Sequence, residues 1–246
     1  MRNNIETARD KGVSIGFFGS NICSWQIRLE PSRITGEVNR TIVGYKEMAD
    51  LDPMGGLTQP VGTVDLPVEI AAAGELNYGI GKSELAQIAS YNKSPIFNSL
   101  VTTRWRDSAI GRPEDALIGV MYETFQVNSD IVIDDNAPDW LLEKTDLKQG
   151  DKLRGLLGYE VDRMFGNAPK NIVRVAHSPY PYGGGTRYAD MTVYTADSGA
   201  KVFATGSMQW VWGLDDYNAP QLRSAFLNSG AQQITRNVLA KLLSKE

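Results

Sequence analysis

Glu160 and Asp162 stand two residues apart in the run Leu156-Leu157-Gly158-Tyr159-Glu160-Val161-Asp162-Arg163. On a strand, that spacing sends both carboxylates to one face. At a strand end both would enter a cleft, where a carboxylate can perform general acid–base work. The apolar run before Glu160 would strip water from it, so Glu160 is the leading catalytic candidate, with Tyr159 beside it as a substrate contact. The plainer alternative is an ion pair between Glu160 and Arg163 or Arg106. Asn21 lies in the turn Gly19-Ser20-Asn21-Ile22-Cys23, just after an apolar run. Ligands of open α/β sheets bind at such turns, so Asn21 is a candidate to orient a substrate carbonyl or a metal-bound water. Asparagine equally takes strained turn conformations and bonds its own backbone. His177 is the single histidine and the third catalytic candidate. It is also the one imidazole that could activate Cys23 as a nucleophile. A small buried thiol is the commoner fate of a lone cysteine.

Binding chemistry is offered by further positions. Arg28 and Arg106, the latter between Trp105 and Asp107, read first as structure, closing an internal stacked ion-pair network, and alternatively as substrate contacts, with Arg28 clamping a substrate carboxylate. Tyr122-Glu123 pairs a phenol with a carboxylate, which makes Glu123 a candidate ligand for a hard metal, against the plain reading of a strand end. Trp210 and Trp212, two apart, could present a face to a sugar or an aromatic group, although core packing is the usual role of tryptophans in an apolar neighbourhood. Ser178-Pro179-Tyr180-Pro181-Tyr182-Gly183-Gly184-Gly185 lacks the Lys-Ser/Thr of a phosphate loop and reads as a flexible loop whose tyrosines could form a lid.

Elements must position these groups. The 246 residues are enough for one large domain or two small ones, and 42% hydrophobic with 22% charged residues is ordinary globular composition. A net charge of −4 offers no field to gather phosphates, so nucleic acid is an unexpected partner. One cysteine excludes an intrachain disulfide, and one cysteine with one histidine excludes a structural zinc site. No apolar run approaches the roughly 20 residues that span a bilayer, and Met1-Arg2-Asn3-Asn4-Ile5-Glu6 reads as a polar helix start and not a signal peptide, so no membrane contact is expected.

Met1, Ile5 and Ala8 share a helical face that Gly12 would end, and Val13–Phe18 follows as a buried strand. A helix leading into a buried strand is the second half of a β-α-β unit, so the chain is expected to start mid-fold. Strands are expected at 25–29, 41–46, 101–106, 117–125 and 172–176, with a short helix at 138–143. A hairpin joins 187–194 to 201–205, and a final helix opens on a Ser229/Gln232 capping box with Ile234, Val238 and Leu242 on one face. Residues 49–95, rich in Pro and Gly, read as an elaborated insertion with a short helix at 83–89. There is no other candidate boundary, so 1–246 is read as one domain.

Five signatures then matter together. They are Gly16-Phe17-Phe18-Gly19-Ser20-Asn21-Ile22-Cys23-Ser24-Trp25-Gln26-Ile27-Arg28, Val43-Gly44-Tyr45-Lys46, Thr102-Thr103-Arg104-Trp105-Arg106-Asp107, Leu157–Arg163 and Gly206-Ser207-Met208-Gln209-Trp210-Val211-Trp212-Gly213-Leu214-Asp215. In this order the chain resembles the C-terminal region of the large (beta) subunit family of N,N-dimethylformamidase. The resemblance implies an α/β fold: a partial amidotransferase-like, flavodoxin-like layered sheet with additional β-hairpins and a C-terminal helix. It implies hydrolysis of small amides or other carbon–nitrogen bonds by a metal-activated water, with iron as the cofactor of the complete parent protein. In the namesake enzyme two tyrosines and a glutamate hold the iron. One tyrosine belongs to a His-Asp-Glu-Tyr-Trp segment that usually precedes the first helix and does not occur here; the other position carries Ser24. That departure keeps open a reading from another class, a non-catalytic glycan- or protein-interaction module. A small-molecule substrate is the leading partner, followed by a second copy of the chain or an upstream part of the same polypeptide.

Overall fold

The amphipathic start Met1–Ala8 folds as helix α1 (Arg2–Asp10), and the apolar run after Gly12 as strand β1 (Ile15–Phe17). The computed structural model describes residues 1–52, 101–107 and 110–244, and these form two compact units: Met1–Ile22 with Pro113–Glu246, and Cys23–Arg112. Mixed helices and sheets with a C-terminal helix make the chain α/β.

In the first unit β1 runs parallel to β8 (Lys201–Ala204), which is antiparallel to β7 (Gly185–Thr195), itself antiparallel to β6 (Val173–Tyr182). The order is β1-β8-β7-β6, so β1 lies at one edge of the sheet as described. Phe17 is buried but Val13 is exposed, and of the expected buried run 13–18 only Phe17, the last residue of β1, is fully enclosed. The C-terminal helix α4 (Ser229–Leu243) covers the sheet with Ile234, Val238 and Leu242. Gly16 permits this approach: a Cβ there would lie 3.1 Å from Leu242 Cδ1. The cap is Asn228 and not Ser229; Asn228 Oδ1 accepts from Ala231 N–H at 3.0 Å, while Gln232 donates to the Leu214 carbonyl.

A second sheet pairs β4 (Met121–Val132) antiparallel with β5 (Lys152–Arg163). Its register shifts three times, once around Gln126, whose positive φ of 61° marks a bulge. The expected strand 117–125 is divided. Asp115–Ile118 winds as helix α2, Gly119 caps it with φ 95°, and the strand begins only at Met121. The helix expected at 138–143 is α3 (Asp139–Leu142). The hairpin across Ala196–Gly199 forms as expected, closed by Ala196 N–H to the Ala200 carbonyl. The expected loop at 178–185 is instead strand. β6 continues to Tyr182 and turns through Gly183-Gly184 into β7, since β6 is an edge strand and its prolines can leave the missing N–H unpaired.

Trp210 and Trp212 do not share a strand face. They lie on a 3-10 helix, Met208–Gly213, which sends Trp210 wholly into the core, where its indole N–H donates to Thr235 Oγ1 at 3.1 Å. Trp212 stacks on Phe226 with centroids 6.0 Å apart.

In the second unit β2 (Arg28–Glu30) pairs antiparallel with β3 (Thr41–Val43). The expected strand 101–106 contributes one bridge, Arg104 to Trp25, and is otherwise a turn in which Asp107 accepts from Thr103 Oγ1 and the Arg104 N–H. Residues 53–100, most of the expected insertion and its helix at 83–89, lie outside the described residues. Among the described residues no helix is long and apolar enough to cross a membrane.

Replacing Trp210 by alanine removes the largest fully buried side chain and one hydrogen bond. We expect Trp210→Ala to cost about 3–5 kcal/mol of stability, read from urea denaturation. An unchanged midpoint would place this indole outside the core.

Candidate functional site

The chain leaves β1 through Phe18-Gly19-Ser20-Asn21, beside the segment Thr205-Gly206-Ser207 that leaves β8 in the same direction. Thr205 ties the two exits: its N–H donates to the Phe17 carbonyl at 3.0 Å and its hydroxyl to the Gly19 carbonyl at 3.3 Å. The next two residues reach β5. Asp162 N–H donates to the Gly206 carbonyl at 2.9 Å, and Ser207 bridges Val161. The wholly buried Ser207 hydroxyl accepts from Gly158 N–H at 3.0 Å and lies 2.6 Å from the Leu156 carbonyl.

This joint brings the sequence's two leading candidates together. Asn21 Nδ2 donates to Glu160 Oε2 at 3.1 Å, and the Asn21 backbone N–H donates to Asp162 Oδ1 at 2.9 Å. Ser20 Oγ donates to the Glu160 carbonyl at 2.8 Å. Asn21 is in the left-handed conformation, φ 55°, which asparagine tolerates better than most residues. The turn and the contact to Glu160 are therefore features of one residue, not alternatives. Asp162 is buried; Glu160 is only half-buried, since the apolar run before it divides into buried Leu156 and Leu157 and exposed Tyr159, whose ring faces Phe125 at 6.1 Å.

His177 joins a different group. Its Nδ1 is 2.7 Å from Asp190 Oδ1, and its ring stacks on Tyr188 at 4.2 Å and 3°. Asp190 Oδ2 accepts from Met164 N–H at 2.9 Å, which fixes the carboxylate. With Asp190 accepting, the proton sits on Nδ1. Cys23, its suggested partner, belongs to the other unit of the chain and is half-buried.

The remaining candidates are committed to internal pairs. Arg28 donates to both oxygens of the buried Asp52, at 3.0 and 3.1 Å, and to Glu30 at 2.8 Å. Asp52 also takes the Thr102 N–H and hydroxyl, so the carboxylate that Arg28 clamps is the protein's own. Arg106 is half-buried, and Arg112 lies over the Trp105 ring at 5.1 Å. Trp210 is in the core. Glu123 spends its oxygens on two guanidiniums, Arg163 at 2.8 Å and Arg187 at 2.6 Å, which stand where a metal would have to bind.

Residues 1–64 and 86–223 match the family described as N,N-dimethylformamidase beta subunit-like, C-terminal. The chain belongs to that family. No curated protein matches it. Family membership does not supply the iron site. Among the described residues no three His, Cys, Asp or Glu side chains lie together as a metal would need, Glu123 is neutralised by arginines, and Ser24 holds no phenolate. The donors among the described residues do not fit ferric iron.

Sequence reasoning missed Asp190, Tyr188 and the arginine set Arg163, Arg174 and Arg187. Arg174 Nε pairs with Asp134 at 2.8 Å. Burial of Asp134 opposes its ionisation. The Asn136 backbone N–H outweighs it together with Asp135, Arg174 and the Asn136 side chain, and the carboxyl falls to about 2. The folded value lies below the unfolded one, so the contribution is complete above about pH 4 and is lost as pH falls towards 2. We expect the native protein to lose about 2 kcal/mol more stability across that window than Asp134→Asn, measured by urea midpoints at each pH. Parallel acid curves would show that this carboxylate is not held in its charged form.

Proposed function

We propose that this chain is a hydrolase domain acting on small amides or other carbon–nitrogen bonds, with Asn21 and Glu160 at its centre. The observation that carries the reading is the Asn21 Nδ2 to Glu160 Oε2 hydrogen bond at the exit of a parallel strand, in a chain of the dimethylformamidase-like family. At that exit Glu160 takes a proton from water as its oxygen adds to the amide carbon. The carbon–nitrogen bond then breaks, and the same proton passes to the departing amine. Asn21 fixes the rotamer of Glu160 and brings an amide dipole to the carbonyl. Asp162 holds Asn21 in its left-handed turn through the backbone N–H. Tyr159, exposed next to Glu160, offers an aromatic wall to a small apolar substrate.

The reading of a non-catalytic interaction module is favoured by Ser24. The tryptophan surface it would use is reduced, because Trp210 is enclosed.

Release of amine from formamide, N-methylformamide and N,N-dimethylformamide tests the proposal. Glu160→Gln should lower kcat at least about 100-fold, the usual scale of a general base, with the circular dichroism spectrum unchanged. Asn21→Ala should act in the same direction and less strongly. Activity that survives Glu160→Gln would remove the mechanism. A native chain inert towards the whole panel would favour the interaction module.

A further inference from the structure

The His177–Asp190 pair lines a cleft of about 660 Å³ together with Arg163, Arg174, Arg187 and Tyr188. We propose that this cleft binds the oxyanion group, carboxylate or phosphate, of a small-molecule ligand on its three guanidiniums. The site is separate from the Asn21–Glu160 pair, neither residue of which lines the cleft, and does not rest on the hydrolase reading.

Each arginine is held in place by other groups. Arg163 lies over the Phe165 ring at 4.3 Å and Arg187 over Tyr182 at 3.8 Å, and both face the Glu123 carboxylate, whose side chain is 6% exposed. Arg174 is anchored by Asp134. Rotamers fixed before binding lose little entropy on binding. The anchors consume few donors. Arg174 uses Nε and Arg187 uses Nη1, while Arg163 Nε, at 2.8 Å from Glu123, is poorly aligned for a hydrogen bond and attracts chiefly by charge. A guanidinium has five N–H donors, and among the described residues the others of these three meet no protein acceptor. Their side chains are 37–47% exposed, open to a ligand yet partly desolvated.

Charge points the same way. Three cations line the cleft against two carboxylates, Glu123 and Asp190, in a chain whose net charge is −4. Both carboxylates are occupied, one by the arginines and the other by His177 and Met164 N–H. His177 lines the cleft with its Nδ1 held against Asp190. Tyr180, which faces Arg187 across the β6–β7 ladder, has a buried hydroxyl that meets no hydrogen-bond partner among the described residues, and burial followed by the Glu123 charge pushes its pKa up to about 12. A planar carboxylate or a phosphate matches the forked donors, since guanidiniums bind both in bidentate fashion.

The chain's one histidine gives an unambiguous imidazole proton resonance, so the cleft can be watched without mutation. The full chain would be titrated at neutral pH with inorganic phosphate in one series and acetate in another, against sodium chloride at matched ionic strength. A saturable shift of the His177 resonance is expected with at least one oxyanion, and its absence with chloride. The two series separate phosphate-bearing from carboxylate-bearing ligands. Arg187→Gln, which leaves Arg163 to neutralise Glu123, should weaken binding about tenfold. Saturation by chloride, no saturation by either oxyanion, or native affinity in a folded Arg187→Gln would each overturn the proposal. Should that variant fail to fold, the native titrations decide alone.

Discussion

Three consecutive residues, Thr205, Gly206 and Ser207, hold the first unit together at its chemistry. Thr205 fastens the end of β8 to the exit of β1, Gly206 accepts from the Asp162 backbone, and the buried Ser207 hydroxyl grips β5 at Gly158 and Leu156. The four-stranded sheet and the β4–β5 pair meet here and again where Ile133 bridges Ala176 and Val132 N–H donates to Ser178 Oγ. Asn21 follows a strand of the first and Glu160 lies on a strand of the second, and this short segment fixes one against the other where their hydrogen bond forms. A buried hydroxyl with its lone pair and proton both in use is costly to remove, which makes the joint stiff as well as short.

The carboxylates divide into two kinds. Asp52, Glu123 and Asp134 each face guanidinium groups, and these pairs organise their surroundings. Glu160 is bonded to the neutral amide of Asn21. Among the described residues no guanidinium has to be displaced for it to meet a substrate, and that difference in partner separates it from Asp52, Glu123 and Asp134. Depth alone would have chosen Asp52 or Asp162, both more deeply buried.

Much of this was legible in the sequence because it depended on local rules. The spacing of Glu160 and Asp162 gave a shared strand face, the glycine after α1 gave its end, and the Ala196–Gly199 turn gave its hairpin. The α2 helix was hidden because Asp115–Ile118 is apolar enough to read as the start of the strand that follows. Trp210 was ambiguous for a similar reason: a spacing of two has meaning only if the segment is a strand, and here it is a 3-10 turn. The partners of Arg28 and Glu123, namely Asp52, Arg163 and Arg187, were not legible, because only the tertiary fold supplies them. The His177–Asp190 pair could have been found. Had Gly183-Gly184 been taken as a hairpin turn, counting outward residue by residue from Tyr182 and Gly185 places His177 opposite Asp190.

Gly206 links the Asn21–Glu160 pair to the His177–Asp190 cleft through its backbone. Its φ is 60°, a conformation that side-chain-bearing residues rarely adopt, and a Cβ built on it would run into the Asp190 carbonyl. On its other side its own carbonyl receives the Asp162 N–H. The residue that carries the His177 partner and the residue that steadies Asn21 are thus both held against one glycine. A side chain at this position would have to push Asp190 away from it, disturbing the carboxylate that His177 and Met164 share, or shift the strand that presents Glu160. The two groups use different residues, yet the same close backbone contact sets the geometry of each.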